Sequence, residues 1–260
     1  MIFDWFKNRR RRTLLAEPFP DAWLAYLRRN VRHYALIDEP KRAKLRELVQ
    51  VFVAEKDWEG CGGLVMDDEI RVTIAGQACL LALGADPNFY FDRVETILVY
   101  PDVFVRPPET HGGFLVDEEG MSLLGEAWHR GPIVLSWEAA RHGGSVSDDG
   151  PNVVLHEFAH HLDGLDGDMD GVPPLATREQ YGNWHRVTAA EFERLTVSSE
   201  NGEATLLDDY GTTNNAEFFA VATECFFENP RAMQKQHCEL YNALRGFYQL
   251  DPAAWRRRPE

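Results

Sequence analysis

Cysteine is scarce in this sequence. The 260 residues include four of them, Cys61, Cys79, Cys225 and Cys238, and none belongs to a Cys-x-x-Cys pair. Four scattered cysteines do not make a disulfide framework, so we interpret them as core thiols of a protein from a reducing compartment. Long apolar runs are also missing, because none approaches the roughly 20 residues needed to span a bilayer. The amino end lacks the basic-then-apolar order of a signal peptide, and we expect a cytoplasmic protein with no membrane span.

Positive charge is the other deficit. Lysine and arginine number 27 against 42 aspartates and glutamates, which gives a formal net charge of −15. Such a chain repels phosphate backbones, which argues against direct nucleic-acid binding as its main activity. The hydrophobic content of 44% is enough for one substantial core.

Residues 1–17 depart from this acidic character. The aromatic residues Phe3, Trp5 and Phe6 are followed by four arginines, Arg9 to Arg12. We interpret this segment as a flexible tail; the alternative is a segment that lies on an anionic membrane surface. The remainder, 18–260, is predicted to be one domain, with a helical part at 18–85, a sheet and active-site helix at 90–165, and a helical part at 176–250.

The pattern of apolar residues predicts an α+β protein. Helices are predicted at 21–31, 39–56, 67–83, 178–195, 214–228 and 231–248. Strands are predicted at 94–100, 114–116, 123–129 and 132–137, and we expect a small, mostly antiparallel sheet. The strand Ile133–Trp137 is either an ordinary internal strand or an exposed edge that binds an extended peptide by strand addition.

The most informative stretch is Val153–Asp163, which reads Val-Val-Leu-His-Glu-Phe-Ala-His-His-Leu-Asp. On a helix, His156 and His160 are one turn apart and can bind a single zinc ion, while Glu157 is placed to act as a general base. Asp163 could accept a hydrogen bond from a ligand imidazole. Two histidines and a glutamate also occur by chance on solvated helices, but here many apolar residues surround them.

A catalytic zinc needs three protein ligands and one open position, so a third ligand must come from another segment. Glu217, in the first turn of a strongly apolar predicted helix, is one candidate. It is also spaced from Asn214 as a capping box, in which the glutamate only closes the helix start. Glu224 lies two turns further on, on roughly the same face, and can be either the ligand or an outer hydrogen-bond acceptor. Spacing alone does not choose between the two glutamates.

An acidic stretch follows the histidine helix. Asp166, Asp168, Asp170 and Gly171 match the first half of a calcium-binding loop. The position that needs a bidentate glutamate is occupied by Thr177, so a solvated acidic turn is the preferred interpretation and calcium the alternative.

Several of these stretches together resemble the Mlc titration factor A family of bacterial cytoplasmic zinc peptidases. The resemblance rests on the histidine motif, the acidic stretch from Asp166 to Leu175, and Asn-Asn-Ala-Glu-Phe-Phe-Ala-Val-Ala-Thr-Glu-Cys-Phe-Phe from Asn214 to Phe227. Upstream segments also fit, and they are Ile74–Leu83, Ile97–Pro101, Gly125–Trp128 and Gly131–Trp137. The similarity extends over most of residues 20–250.

The resemblance implies a zincin-like catalytic core of the gluzincin kind, related in fold to the catalytic part of anthrax lethal factor. It implies one zinc ion bound by His156, His160 and Glu217, with Glu157 as base and Tyr210 as the hydroxyl that stabilises the oxyanion. Members of the family are described as aminopeptidases and as binding partners of Mlc, a transcriptional repressor. The expected function is therefore hydrolysis of small peptides. The alternative is a regulatory protein that sequesters such a repressor, with zinc structural or weakly catalytic.

Overall fold

A computed structural model describes residues 2–87, 89–102, 131–146 and 151–256. The strands predicted at 114–116 and 123–129 lie outside these residues. The helices are α1 Ile2–Leu15, α2 Asp21–Asn30, α3 His33–Leu36, α4 Glu39–Glu55, α5 Asp68–Ala78, α6 Trp137–Ser145, α7 Val153–Asp163, α8 Arg178–Glu200, α9 Asn215–Glu228, α10 Pro230–Gln236 and α11 Cys238–Tyr248. The strands are β1 Asp57–Gly60, β2 Thr96–Tyr100 and β3 Ile133–Ser136, and short 3-10 segments occupy Asp209–Thr212 and Pro252–Ala254. This composition confirms the predicted α+β class.

Helix α4 shows how the local sequence determines where a helix begins and which of its faces is buried. Asp38 precedes the helix, and its carboxylate accepts a hydrogen bond from the backbone N–H of Lys41 at 3.0 Å. Pro40 lies in the first turn, where its missing N–H is not needed. Leu45, Leu48, Val49 and Phe52 recur at helical spacing and are buried in the core. The apolar face of α4 therefore anchors the helical part of the chain.

The segment expected to be a tail forms α1 in the structure. Arg11 is almost fully buried there, and its guanidinium bonds to both carboxylate oxygens of Glu55, at 2.8 and 2.6 Å, and to Asp92. A buried arginine requires such carboxylate partners, and here they lie 44 and 81 residues further along the chain. Trp5 and Phe6, on the other hand, are exposed. The predicted division of the rest of the chain into one domain stays a prediction.

The three described strands form a parallel sheet in the order β1-β2-β3. The expectation of a mostly antiparallel sheet is wrong for these strands. Ile97, Val99, Ile133 and Leu135 are buried and alternate with half-buried residues, a one-sided pattern that is more common in antiparallel sheets. Parallel pairing needs a crossover, and the connection from β1 to β2 contains helix α5. Among the described strands, β3 lies at an edge.

Helix α7 lies in the middle of the core and packs most extensively against α9. Its Phe158 ring contacts the rings of Phe52 and Phe91, with centroid separations of 5.7 and 5.1 Å. Val154, Leu155, Ala159 and Leu162 are buried on the same helix. This packing fixes the rotation of α7, so that the opposite face, which carries the two histidines, is directed towards α9.

Two of the four cysteines lie in the core. All four cysteines are free thiols; Cys79 and Cys225 are buried, Cys61 is half-buried and Cys238 is exposed. The core interpretation therefore fits Cys79 and Cys225 and is wrong for Cys238, which begins α11 at the surface.

Within the described residues, no helix combines the length and the apolar character that crossing a membrane requires.

Candidate metal centre

The two histidines of α7 present one nitrogen each to a common point. His156 Nε2 and His160 Nε2 are 3.2 Å apart, and the ring centroids are separated by 4.8 Å. The side chains are 12% and 15% exposed, respectively. Both imidazoles are therefore largely buried but still accessible to water.

Glu217 completes this group from α9. Its Oε2 atom lies 3.0 Å from His156 Nε2 and 3.2 Å from His160 Nε2. The capping-box interpretation is half right, because the Asn214 side chain does accept a hydrogen bond from the Glu217 backbone N–H at 2.9 Å. The glutamate side chain, however, turns to the histidines. Asn214 thus orients the first turn of α9 and leaves the Glu217 carboxylate available.

The three donor atoms fit a zinc ion. In a tetrahedral site with zinc–ligand distances of about 2.0–2.1 Å, two ligand atoms are about 3.3 Å apart. The observed separations of 3.0, 3.2 and 3.2 Å are close to that value. Two imidazoles and one carboxylate are also the donor set of many catalytic zinc sites. Among the described residues, this is the one group of three or more histidine, cysteine or acidic side chains with the spacing of a metal site.

Glu224 contacts the other ring nitrogen of His156, the one that does not face Glu217. Its Oε1 atom lies 2.7 Å from His156 Nδ1, and its Oε2 atom accepts the backbone N–H of Asn152. Because a carboxylate is an acceptor, His156 carries a proton on Nδ1, and Nε2 is the nitrogen that is directed towards His160 and Glu217. The structure thus places Glu217 beside Nε2 of His156 and Glu224 beside Nδ1.

The hydrogen bonds within this group shift the pKa values of its members. Burial alone disfavours the imidazolium of His156, but hydrogen bonds to Glu217 and Glu224 outweigh that effect and raise its pKa to about 10. Burial likewise opposes ionisation of Glu217, yet its bonds to both histidines lower its pKa to about 2. The three side chains are therefore arranged to surround positive charge.

Glu157 lies between the two histidines in sequence and makes none of these ligand contacts. Burial raises the pKa of its carboxyl group, while the nearby His156 and His160 lower it and Glu217 and Glu224 raise it. A carboxylate that has a raised pKa and lies close to metal-binding side chains is suited to accepting and returning a proton.

Tyr210, which was singled out only by the family resemblance, lies beside this group. Its ring centroid is 6.1 Å from that of His156. The Asp208 carboxylate accepts the Tyr210 backbone N–H at 2.9 Å and fixes the start of the 3-10 segment. Gly211, the next residue, is buried against Leu195 of α8 and Val221 of α9. The loop that carries Tyr210 is thus held against the body of the protein.

Asp163 has a different partner from the one expected. Its Oδ2 atom accepts the backbone N–H of Gly171 at 2.9 Å, and no described residue bonds to its Oδ1 or to His160 Nδ1. Burial raises the pKa of this carboxyl group to about 7. Gly171 has a positive φ of 79°, and a Cβ there would lie 2.3 Å from the Asn215 carbonyl oxygen. Asp163 therefore ties the acidic loop back to α7, close to the start of α9.

The possible calcium ligands are directed towards their own loop. Asp166 accepts the backbone N–H of Asp168 at 3.3 Å, and Asp170 accepts that of Val172 at 3.1 Å. In the described part of the chain, these aspartates do not belong to a group with metal-site spacing. Local turn hydrogen bonds of this kind match the preferred interpretation of an acidic turn.

Sequence reasoning missed Asn152, Arg32 and Glu228, which surround the far side of the centre. Asn152 caps α7, and its side chain also bonds to Glu228 at 3.0 Å. Asparagine directly before a predicted helix is a capping signal that the sequence does contain. Arg32 gives no such local signal, because 196 residues separate it from its partner Glu228.

Comparison with known proteins agrees with this geometry. A family model described as glucose-regulated metallo-peptidase M90 matches residues 5–249. The uncharacterized protein slr2042 of Synechocystis sp. is 42% identical over 251 residues, which are 96% of this chain and 90% of that protein. Mlc titration factor A of Serratia proteamaculans is 32% identical, covering 84% of this chain and 83% of its own length. The protein of the same name from Yersinia pestis is 28% identical, covering 98% and 92%, respectively.

These matches confirm the family resemblance predicted from the motifs. The name of the matching model indicates a peptidase that uses a metal, and the His156, His160 and Glu217 group is where this chain can bind one. With a family model covering nearly all of its length, the chain belongs to the glucose-regulated metallo-peptidase M90 family.

Proposed function

We propose that this protein is a zinc-dependent peptidase that hydrolyses small peptides in the cytoplasm, with aminopeptidase specificity. The observation that carries the proposal is the triangle of His156 Nε2, His160 Nε2 and Glu217 Oε2, with sides of 3.0–3.2 Å, beside the carboxyl group of Glu157. A purely structural site does not require a glutamate between its two histidines, and structural zinc is usually bound by cysteines. The four free cysteines support a reducing compartment.

His156, His160 and Glu217 would hold the zinc ion. When bound, zinc supplies Lewis-acid chemistry, since it polarises a carbonyl group and lowers the pKa of a water molecule. Glu157 takes the proton from the attacking water and later delivers it to the leaving amine. Glu224 accepts a hydrogen bond from the Nδ1–H group of His156, which keeps that ring in the tautomer and orientation needed by a ligand.

The Tyr210 hydroxyl is proposed to donate a hydrogen bond to the oxyanion that forms during attack. The aromatic ring lies next to that of His156, on a segment whose start is fixed by the Asp208 carboxylate.

Tyr210→Phe is therefore expected to lower kcat by about 10²–10³-fold, the usual effect of removing one oxyanion donor. KM and zinc content should change little, because the ring remains and no ligand is altered. Steady-state kinetics with metal analysis of the same samples test this expectation. A loss confined to KM would instead place the Tyr210 hydroxyl in ground-state substrate binding.

The substrate peptide is proposed to lie along β3. This strand lies at an edge of the described sheet, packs against α7 and leads directly into α6. Main-chain hydrogen bonds to a strand edge bind extended peptides with little dependence on their side chains. Such binding would suit a peptidase with several small substrates.

Activity and its metal dependence can be tested with amino-acid anilides and their N-acetylated counterparts. The purified protein is expected to contain about one zinc per chain and to hydrolyse the free anilides, but not the acetylated ones. Removal of zinc by a chelator should abolish hydrolysis, and added zinc should restore it. Cleavage that is equally fast with and without chelator would overturn the proposal, whereas cleavage of acetylated substrates would overturn only the aminopeptidase assignment.

A second candidate function is sequestration of a transcriptional repressor of the Mlc type. It is supported by the name Mlc titration factor A, which relatives at 28–32% identity carry. Calorimetry with a purified repressor of this type separates the two functions, because Glu157→Gln should impair hydrolysis and leave repressor binding intact. If no binding is detected at micromolar concentrations of both proteins, the second function is overturned.

A further inference from the structure

Three glutamates form one stripe along α9. Glu217, Glu224 and Glu228 are seven and four residues apart, so they lie on the same face of a helix that is otherwise apolar. Glu224 and Glu228 are buried, and Glu217 is largely so, with 17% of its side chain exposed. Buried carboxylates are unfavourable without partners. The stripe therefore indicates that each of the three glutamates has a specific partner across the α7–α9 contact.

The two inner glutamates share Asn152 as a partner. Glu224 accepts the backbone N–H of Asn152, and Glu228 Oε1 accepts its side-chain Nδ2 at 3.0 Å. The same Nδ2 donates to the carbonyl oxygen of Gly143 at 3.1 Å, and Asn152 Oδ1 caps α7 through the N–H of Leu155 at 3.1 Å. Asn152, which is 1% exposed, thus joins α6, α7 and α9 and uses both amide protons.

Arg32 supplies the positive charge at the inner end of the stripe. Its Nη2 bonds to the Glu228 carboxylate and donates to the Glu228 carbonyl oxygen at 3.0 Å. Its backbone N–H donates to the Gly144 carbonyl oxygen at 2.9 Å. The Glu228 carboxylate is therefore held by the Arg32 guanidinium, and it can act as a fixed acceptor for the Asn152 amide.

These contacts bear on the metal centre because the ligands come from both helices. His156 and His160 lie on α7, whereas Glu217 lies on α9, so the ligand triangle depends on how far one helix is shifted along the other. Asn152 connects the start of α7 to Glu224 and Glu228, at two successive turns of α9. A ligand displacement of a few tenths of an ångström is enough to spoil a zinc site.

We propose that Asn152 is a positioning residue, which sets the register of α7 against α9 by bonding to Glu224 and Glu228 and thereby fixes the distance between the histidine ligands and Glu217. The proposal rests on the proposed zinc function and extends it to residues that do not touch the metal. It assigns Arg32 the role of holding Glu228 in place.

Asn152→Asp is the sharpest test of this role. The variant keeps the oxygen that caps Leu155 but replaces the donor Nδ2 by an oxygen that faces Glu228 Oε1 and the Gly143 carbonyl. Repulsion between the two carboxylates should shift α7 relative to α9. We expect zinc affinity to fall by about 10–100-fold, as for the loss of an outer hydrogen-bond partner of a metal site.

The double variant Asn152→Asp with Glu228→Gln should recover most of this loss. The glutamine amide can donate to the new carboxylate, so the hydrogen bond is restored with its direction reversed. Rescue of this kind measures the coupling between the two positions rather than a general loss of stability.

Asn30→Asp is the matched control. Asn30 is 3% exposed, and its Nδ2 donates to Glu69 Oε1 at 3.0 Å and to Thr73 Oγ1 at 2.9 Å. The substitution creates the same kind of carboxylate pair, but Glu69 and Thr73 belong to α5 and not to the helices that carry the metal ligands. It is expected to lower the melting temperature and leave zinc affinity unchanged.

The experiment measures zinc affinity by competition with a chromophoric chelator, the visible spectrum of the cobalt-substituted protein, and the melting temperature of the metal-free protein. A cobalt spectrum altered in Asn152→Asp and restored in the double variant, with the control unaffected, supports the proposal. Equal losses of zinc affinity in Asn152→Asp and Asn30→Asp overturn it.

Asn152→Ser covers the case in which Asn152→Asp does not fold. Serine keeps a capping oxygen and has no amide to reach Glu228. A folded Asn152→Ser protein with the parent's zinc affinity and cobalt spectrum overturns the positioning role alone. A parent protein that binds no zinc overturns the proposed function, and the positioning role with it.

Discussion

Glu157→Gln is expected to retain zinc and to lose hydrolysis, with kcat lower by about 10²–10⁴-fold, the contribution typical of a general base. Glutamine has nearly the same shape as glutamate, so the packing of α7 and the positions of His156 and His160 should not change. What disappears is the ability to take a proton from water and return it to the leaving amine. The effect should therefore fall on kcat, and only weakly on KM.

The surroundings of Glu157 explain why this carboxylate suits the task. Burial raises its pKa, and the negative charges of Glu217 and Glu224 act in the same direction, while the two histidines oppose them. A raised pKa brings the group closer to the operating pH, where a base both accepts and releases protons efficiently.

Metal analysis and kinetics on the same preparation decide the outcome for Glu157. Glu191→Gln is a suitable control, because Glu191 is also a largely buried glutamate that bonds to a histidine, His237, at 2.8 Å, yet it lies on α8. The control is expected to hydrolyse substrate like the parent. Full activity in Glu157→Gln would remove the proposed base, and loss of zinc in that variant would make it a ligand instead.

The candidate site could be predicted from sequence where its parts are local. His156, Glu157 and His160 lie within one turn and a half of a helix, and helical geometry alone places their side chains near one another. Sequence spacing does not select the third ligand, because Glu217 and Glu224 share a face of α9. Which of them meets the histidines depends on how α7 and α9 pack, and this is a property of the folded protein.

The parts that sequence reasoning missed are long-range in the same sense. The parallel pairing of β1 with β2 depends on a crossover that contains α5, while the residues of β2 alternate as in an antiparallel strand. The burial of Arg11 depends on Glu55 and Asp92, which are 44 and 81 residues away. Local periodicity contains no information about such partners. The sequence alone therefore predicts a tail for residues 1–17.

The different positions of Glu217 and Glu224 around His156 lead to the second large expected effect. Glu217→Gln should weaken zinc binding by more than 100-fold, exceeding the about 10–100-fold that loss of an outer partner causes. The Glu217 Oε2 atom lies within 3.2 Å of both ligand nitrogens, and a neutral amide oxygen there is a much poorer donor to zinc than a carboxylate. Hydrolysis should be lost with the metal.

Glu224→Gln is the matched variant, with the same chemical change two turns along the same helix. Glu224 accepts two hydrogen bonds, one from His156 Nδ1 and one from the Asn152 backbone N–H, and a glutamine offers a single oxygen for the two. One of these bonds is lost, and the glutamine NH2 group then faces an N–H donor. Zinc affinity should therefore fall by about 10–100-fold, as for the loss of an outer hydrogen-bond partner. If titration against a competing chelator shows Glu224→Gln to be the more damaging substitution, Glu224 is the third ligand and Glu217 the outer residue.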